Sequence, residues 1–116
     1  MQLERVFAYS FASIHKLYVQ KVERKDRTRA ELDEALCWLT GYDAKQLAKQ
    51  IKSEVDLKTF FKEAPKLNRK AKLITGTICG VRIEEIENPL MKKIRWMDKL
   101  VDELAKGRPM EKVLRS

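Results

Sequence analysis

Asn88-Pro89-Leu90-Met91-Lys92-Lys93-Ile94-Arg95-Trp96-Met97-Asp98-Lys99-Leu100-Val101-Asp102-Glu103-Leu104 is the stretch whose reading decides the fold. Asparagine followed by proline starts a helix well. The side-chain carbonyl caps free amides, and proline lacks the amide hydrogen that would go unsatisfied at the first helical position. Leu90, Ile94, Met97, Val101 and Leu104 then recur at steps of four, three, four and three, an a/d seam over about two heptads. Lys99 with Glu103, and Asp102 with Lys106, stand one turn apart on the outside, spaced to pair. Gly107 stops the helix and Pro109 opens a last short turn with Met110, Val113 and Leu114. The seam has two readings: packing within the chain, or a homodimer through Leu90, Ile94, Met97, Val101 and Leu104.

Upstream, the same helical signals repeat. Thr28 with Glu31, and Asp43 with Gln46, are capping boxes. The first opens a helix carrying Leu32, Leu36 and Leu39 that stops at Gly41. The second opens a shorter one with Ala44, Leu47 and Ile51. Asp56 caps a third piece holding Leu57, Phe60 and Phe61, which Pro65 ends. From Ser13, Ile14, Tyr18 and Val22 lie on one helical face. Residues Leu3 to Phe11 alternate small and aromatic and fit either an extended arm or a helix start. Ile74, Ile78 and Val81 are interrupted by Gly76 and Gly80, and their β-branched content permits a strand. The run Leu39-Thr40-Gly41-Tyr42-Asp43 is echoed 39 residues later by Ile78-Cys79-Gly80-Val81-Arg82, which favours a second helical corner at Gly80. The expected fold is all-α: one compact multi-helix domain over residues 1–116, with two glycine-turn helix corners and a long C-terminal helix.

Composition narrows the class. Hydrophobic residues make up 44% of the chain and charged ones 36%, so a core forms beneath an unusually charged exterior. Twenty-five basic residues against 17 acidic ones give a net charge of +8, which permits a nucleic-acid or other anionic partner without requiring one. Cys37 and Cys79 form no C-x-x-C pair and sit in apolar runs, as free thiols in a reducing compartment do. No apolar run is long enough to span a membrane, and Glu4 and Arg5 interrupt the place of a secretory signal. The expected location is the cytoplasm.

The positive charge is uneven. Residues 28–56 hold four basic and six acidic side chains, which weakens a DNA-reading interpretation of the corner at Gly41, whose second helix offers Lys45, Gln46, Lys49 and Gln50. Residues 57–72 hold Lys58, Lys62, Lys66, Arg69, Lys70 and Lys72 against Glu63 alone. These six are the candidate anion or nucleic-acid surface, with Leu57, Phe60 and Phe61 as stacking platforms or as core. His15, the one histidine, has no carboxylate beside it in sequence and reads as a surface or boundary residue. Neither the cysteines nor Glu84, Glu85 and Glu87 form a metal signature, and the glycines match no nucleotide loop. No catalytic residue, metal or cofactor is indicated. Trp38 and Trp96 read as core anchors or as a partner interface.

Ser10-Phe11-Ala12-Ser13, Trp38-Leu39-Thr40-Gly41-Tyr42-Asp43, Phe60-Phe61-Lys62-Glu63-Ala64-Pro65, Ile74-Thr75-Gly76, Cys79-Gly80-Val81-Arg82 and Asp98-Lys99-Leu100-Val101-Asp102-Glu103-Leu104-Ala105-Lys106-Gly107 together resemble, in order and over nearly the whole chain, a bacterial group known as domain-of-unknown-function family 2200. The resemblance implies a short bacterial cytoplasmic protein and brings no activity, cofactor or catalytic residue. His15-Lys16 stands where an aromatic-proline pair is common in that group. If the two glycine corners pack side by side, Tyr42, Cys79 and Arg82 border one groove. The leading expectation is a non-enzymatic binding or interaction module. The alternatives are a nucleic-acid binder using the Lys58–Lys72 surface, and a small enzyme with a site assembled from distant residues.

Overall fold

The computed structural model describes residues 3–78 and 80–115. Among them the chain runs through α1 (Leu3–Phe7), α2 (Phe11–Glu23), α3 (Arg29–Thr40), α4 (Ala44–Lys52) and α5 (Leu57–Lys62). A 3-10 helix (Arg69–Leu73), β1 (Thr77–Ile78), β2 (Val81–Arg82) and a 3-10 turn (Ile83–Glu85) follow, and α6 (Pro89–Ala105) and α7 (Met110–Val113) close the order.

Local chemistry sets the helix starts. Thr28 Oγ1 accepts from the Glu31 amide at 3.1 Å while Glu31 Oε1 accepts from the Thr28 amide at 3.0 Å. Asp43 and Gln46 exchange the equivalent pair at 2.7 and 2.9 Å. Asp56 Oδ1 caps the Thr59 amide at 2.7 Å, and Asn88 Oδ1 caps the Met91 amide at 2.9 Å. Each bond satisfies an amide that has no partner within its own helix. α2 begins two residues before Ser13, because Ser10 supplies the cap. The segment before it is part helix and part extended. After α1 the chain makes a single antiparallel bridge, Ser10 to Asp56, in which the Phe11 amide donates to the Val55 carbonyl and the Leu57 amide to the Tyr9 carbonyl.

α6 is the central element, packed against α2, α3, α5, α7, β1 and the 3-10 turn. No position from Leu90 to Ala105 is fully exposed. Ile94 is 3% exposed and Met97, Val101 and Leu104 are wholly buried, with Leu90 half-buried. The seam therefore faces the protein's own core. The homodimer reading through these five residues is corrected: the apolar surface it requires is already consumed inside the chain. The buried residues of all the major helices join one core, in which Phe11 stacks on Phe60 with ring centroids 3.8 Å apart. The radius of gyration, 13.1 Å, is that of a compact globule of this length.

The expectation of a wholly helical chain with a second helical corner is also corrected. Ile78 pairs with Val81 and Thr77 with Arg82 in a two-stranded antiparallel hairpin turning at Gly80. β-Branched Ile78 and Val81 suit paired extended backbone, and the Lys99 ammonium donates to the Thr77 carbonyl at 3.0 Å, tying the hairpin to α6. The segments around Gly41 and Gly80, alike in sequence, adopt different structures. The chain is mostly helical with one small sheet.

Candidate functional site

After Pro65 the chain crosses the C-terminal end of α3 as a strap. The Lys66 amide donates to the Thr40 carbonyl at 3.2 Å and the Asn68 amide to the Leu39 carbonyl at 3.0 Å. These bonds satisfy two of the carbonyls that a helix leaves open at its end. The approach is close because α3 ends at Gly41, with φ +82°. A Cβ there would lie 2.6 Å from the Lys66 carbonyl oxygen and 2.8 Å from its nitrogen. Asn68 Oδ1 then caps the Lys70 amide at 2.8 Å and starts the 3-10 helix. Local capping thus turns a basic, polar stretch into an ordered edge.

That edge borders an open cavity of about 540 Å³, with Trp38 of α3 and its C-cap Gly41 on one side and Lys66, Leu67, Asn68, Arg69 and Lys70 on the other. Trp38 and Leu67 are half-buried, while the three cations are exposed. Among the described residues none of the three has an acidic partner within ion-pair distance. By contrast Arg27, Arg95, Arg108 and Arg115 are each paired with a carboxylate. A half-buried indole beside three uncommitted cations can take a ligand that joins negative charge to a flat ring.

The structure gathers only half of the six basic candidates here. Lys58 borders a smaller cavity with Phe7, Ala8 and Asp56, and Lys62 and Lys72 are exposed. Leu57, Phe60 and Phe61 are not platforms. They are 1%, 0% and 5% exposed, and Phe60 is held between Phe11, Phe61 and Tyr42. The aromatic beside the cations is Trp38, which comes from an earlier helix and is brought there by the strap. On α4, Lys45, Gln46 and Lys49 are exposed and Gln50 is half-buried, its side-chain amide donating to Glu63 at 3.2 Å.

Tyr42 is buried, its hydroxyl donates to the Phe60 carbonyl at 2.6 Å, and burial followed by the nearby Glu63 charge pushes its ionisation up to about 12. Arg82 is exposed on the hairpin, and Cys79 lies outside the described residues. The groove drawn for these three presupposed two helical corners, and Gly80 turns a hairpin instead.

His15 is 4% exposed, which corrects its reading as a surface or boundary residue. Its Nε2 lies 2.7 Å from Asp33 Oδ1, and Asp33 Oδ2 accepts from Arg29 Nε at 3.4 Å. The partner sits on another helix, so no local spacing announced it. Cys37 lies one turn beyond Asp33. Burial, then the charges of Asp33 and Asp43, push its thiol up, which suppresses the reactive thiolate. Trp96 is half-buried on α6, and its buried indole nitrogen has no hydrogen-bond partner among the described residues. Among the described residues no three histidine, cysteine or carboxylate groups are arranged to hold a metal ion, and no helix is long and apolar enough to cross a membrane.

No curated protein matches the chain. Its structure is similar to the crystal structure of the uncharacterized protein SP1917, with a TM-score of 0.92 and 39% sequence identity, covering 98% of this chain and 93% of that one. The model of an uncharacterized protein family conserved in bacteria (DUF2200) matches residues 5–115. The chain is a member of that family.

Proposed function

We propose that this protein is a binding module whose ligand is single-stranded nucleic acid, held along the strap with a base against Trp38. The observation that carries the reading is the convergence of Lys66, Arg69 and Lys70, none of them paired to an acid, on the cavity that Trp38 lines. Phosphates supply most of the affinity in such complexes by releasing bound counterions. Stacking of a base on an aromatic side chain adds about 1–3 kcal/mol and tolerates any sequence. A duplex hides its base faces and cannot use Trp38, so single strands are favoured. We take the cytoplasm as the compartment, in keeping with the free thiol of Cys37.

The test is fluorescence anisotropy of a labelled single-stranded oligonucleotide titrated with protein across a salt series. Three phosphate contacts give a log–log salt slope of about −2. Replacing Lys66, Arg69 and Lys70 together by alanine flattens that slope. Trp38→Ala weakens binding about tenfold without changing it. Absence of binding at low salt, or a slope unchanged in the triple variant, refutes the proposal.

A further inference from the structure

We infer a second ligand site, away from the strap, that takes a compact, neutral, mostly apolar molecule carrying one hydrogen-bond donor. It is a cavity of about 190 Å³ bounded by α1 and by residues of α2, α5 and α6. Val6, Ile14, Leu57 and Ile94 form its apolar wall, and Tyr9, 47% exposed, stands at its rim. At its polar end the Tyr18 hydroxyl donates to Asp98 Oδ1, and Arg95 Nη1 donates to Asp98 Oδ2 at 3.0 Å. The side chains of Arg95 and Asp98 are only 13% and 21% exposed.

Two features that cost stability meet here. The apolar wall is left facing a cavity that opens to water beside Tyr9, which forgoes the gain of burying it, and an ion pair drawn out of water is seldom better than apolar residues of the same volume. A ligand filling the wall and reaching Asp98 offsets both. Its size follows from the volume: an apolar cavity of about 150 Å³ accommodates benzene. Its neutrality follows from the polar end, where Arg95 and Asp98 are already engaged. A charged ligand would have to compete with a pair that is made, leaving one member uncompensated. Its donor follows from Asp98, since an ionised carboxylate accepts at about four positions and Tyr18 and Arg95 fill two of them.

The site is independent of the strap, and its test uses the whole chain with phenol as probe. Benzene, benzoate and benzylammonium serve as comparators, and binding is followed by methyl and amide chemical shifts. Phenol is expected to saturate, moving the signals of Val6, Ile14 and Ile94. Benzene binds about tenfold more weakly for want of the hydrogen bond, and the two ions bind more weakly still. Val6→Trp fills the cavity from its α1 wall and abolishes saturation. Ile14→Phe, which fills it from α2, does the same and covers the case in which α1 is displaced. Tyr18→Phe keeps the wall and vacates one more acceptor position on Asp98, so the preference for phenol over benzene grows. Linear, unsaturable shifts in the unmodified protein, equal affinity for benzoate and phenol, or saturation that survives both filling substitutions overturns the inference.

Discussion

Gly41→Ala tests the strap on which the site depends. Two penalties add. A residue with a Cβ held at φ +82° costs about 1–2 kcal/mol in the left-handed region. The new Cβ also stands 2.6 Å from the Lys66 carbonyl oxygen, a distance that only movement of backbone can relieve. Moving the strap weakens the Lys66–Thr40 and Asn68–Leu39 bonds, each worth about 0.5–1.5 kcal/mol net. The expected loss is about 2–5 kcal/mol. Gly107→Ala is the internal control: φ is +85° but, chain neighbours aside, no atom of the described residues lies within 4 Å of the added Cβ, so only the first penalty applies, about 1–2 kcal/mol. Urea unfolding followed by circular dichroism reads both. With an m-value of about 1–2 kcal/mol/M, the two midpoints separate by about 0.5–3 M. If both glycines cost the same to within about 0.5 kcal/mol, the usual additivity error, the close approach of the strap is wrong, and the cavity beside Trp38 goes with it.

Tyr42 predicts an alkaline limb. Its folded ionisation near 12 lies above the unfolded value of about 10, so between the two the unfolded chain holds fewer protons and stability falls as pH rises. The loss is about 1–3 kcal/mol across that window, and it disappears in Tyr42→Phe, measured by urea titration at pH 9 and 11.5. Acid acts in the opposite sense. The Arg27 guanidinium lowers Glu31, and the Thr59 amide lowers Asp56. Both folded values thus lie below the unfolded ones, and the stability these groups lend is present above about pH 4 and drains as pH falls further. Melts at pH 5 and pH 3 show this, and Asp56→Asn reduces the drop. Glu103, 5% exposed, accepts from Arg115 at 2.6 and 2.9 Å and pairs with Arg108 at 3.0 Å. Glu103→Ala strands the Arg115 guanidinium, whose side chain is 12% exposed, costs about 3 kcal/mol, and speeds amide exchange over residues 110–115.

The helix starts were legible because their chemistry is local. Thr28 with Glu31, Asp43 with Gln46, Asp56, and Asn88 before Pro89 each bond within four residues, so spacing alone exposes them. The α6 seam was legible as an apolar stripe, but not as to which surface it meets, since periodicity records a buried face and not its partner. Gly80 failed for a related reason. A glycine at positive φ ends a helix or turns a hairpin with equal ease, and the choice rested on the pairing of Ile78 with Val81 and on the anchor from Lys99. Of the site, the charge of the strap was visible and its aromatic was not. Phe60 and Phe61 are near neighbours of the cations in sequence but face the core, whereas Trp38 reaches them only because the strap crosses the end of α3. His15 with Asp33, and Tyr18 with Asp98, are likewise contacts between helices that no single-segment pattern encodes.

On the proposed function, the strap makes stability and binding two readings of one equilibrium. Its anchors are few: Leu67 and Ala64 are half-buried, Ala71 is buried, and two backbone bonds tie it to α3. Such a segment opens locally more readily than the core around Phe60 and Met97. A strand lying across Lys66, Arg69 and Lys70 engages only the docked form, so its binding slows exchange of the Lys66 and Asn68 amides. Any change that lowers the docked fraction of the strap lowers the apparent affinity for the strand in proportion to that fraction. Gly41→Ala therefore lowers affinity although residue 41 carries no charge and stacks on nothing. Gly107→Ala destabilises the fold yet leaves affinity intact. A protein in which both substitutions weakened binding equally would owe that binding to diffuse positive charge, and not to an edge built by α3 and the strap.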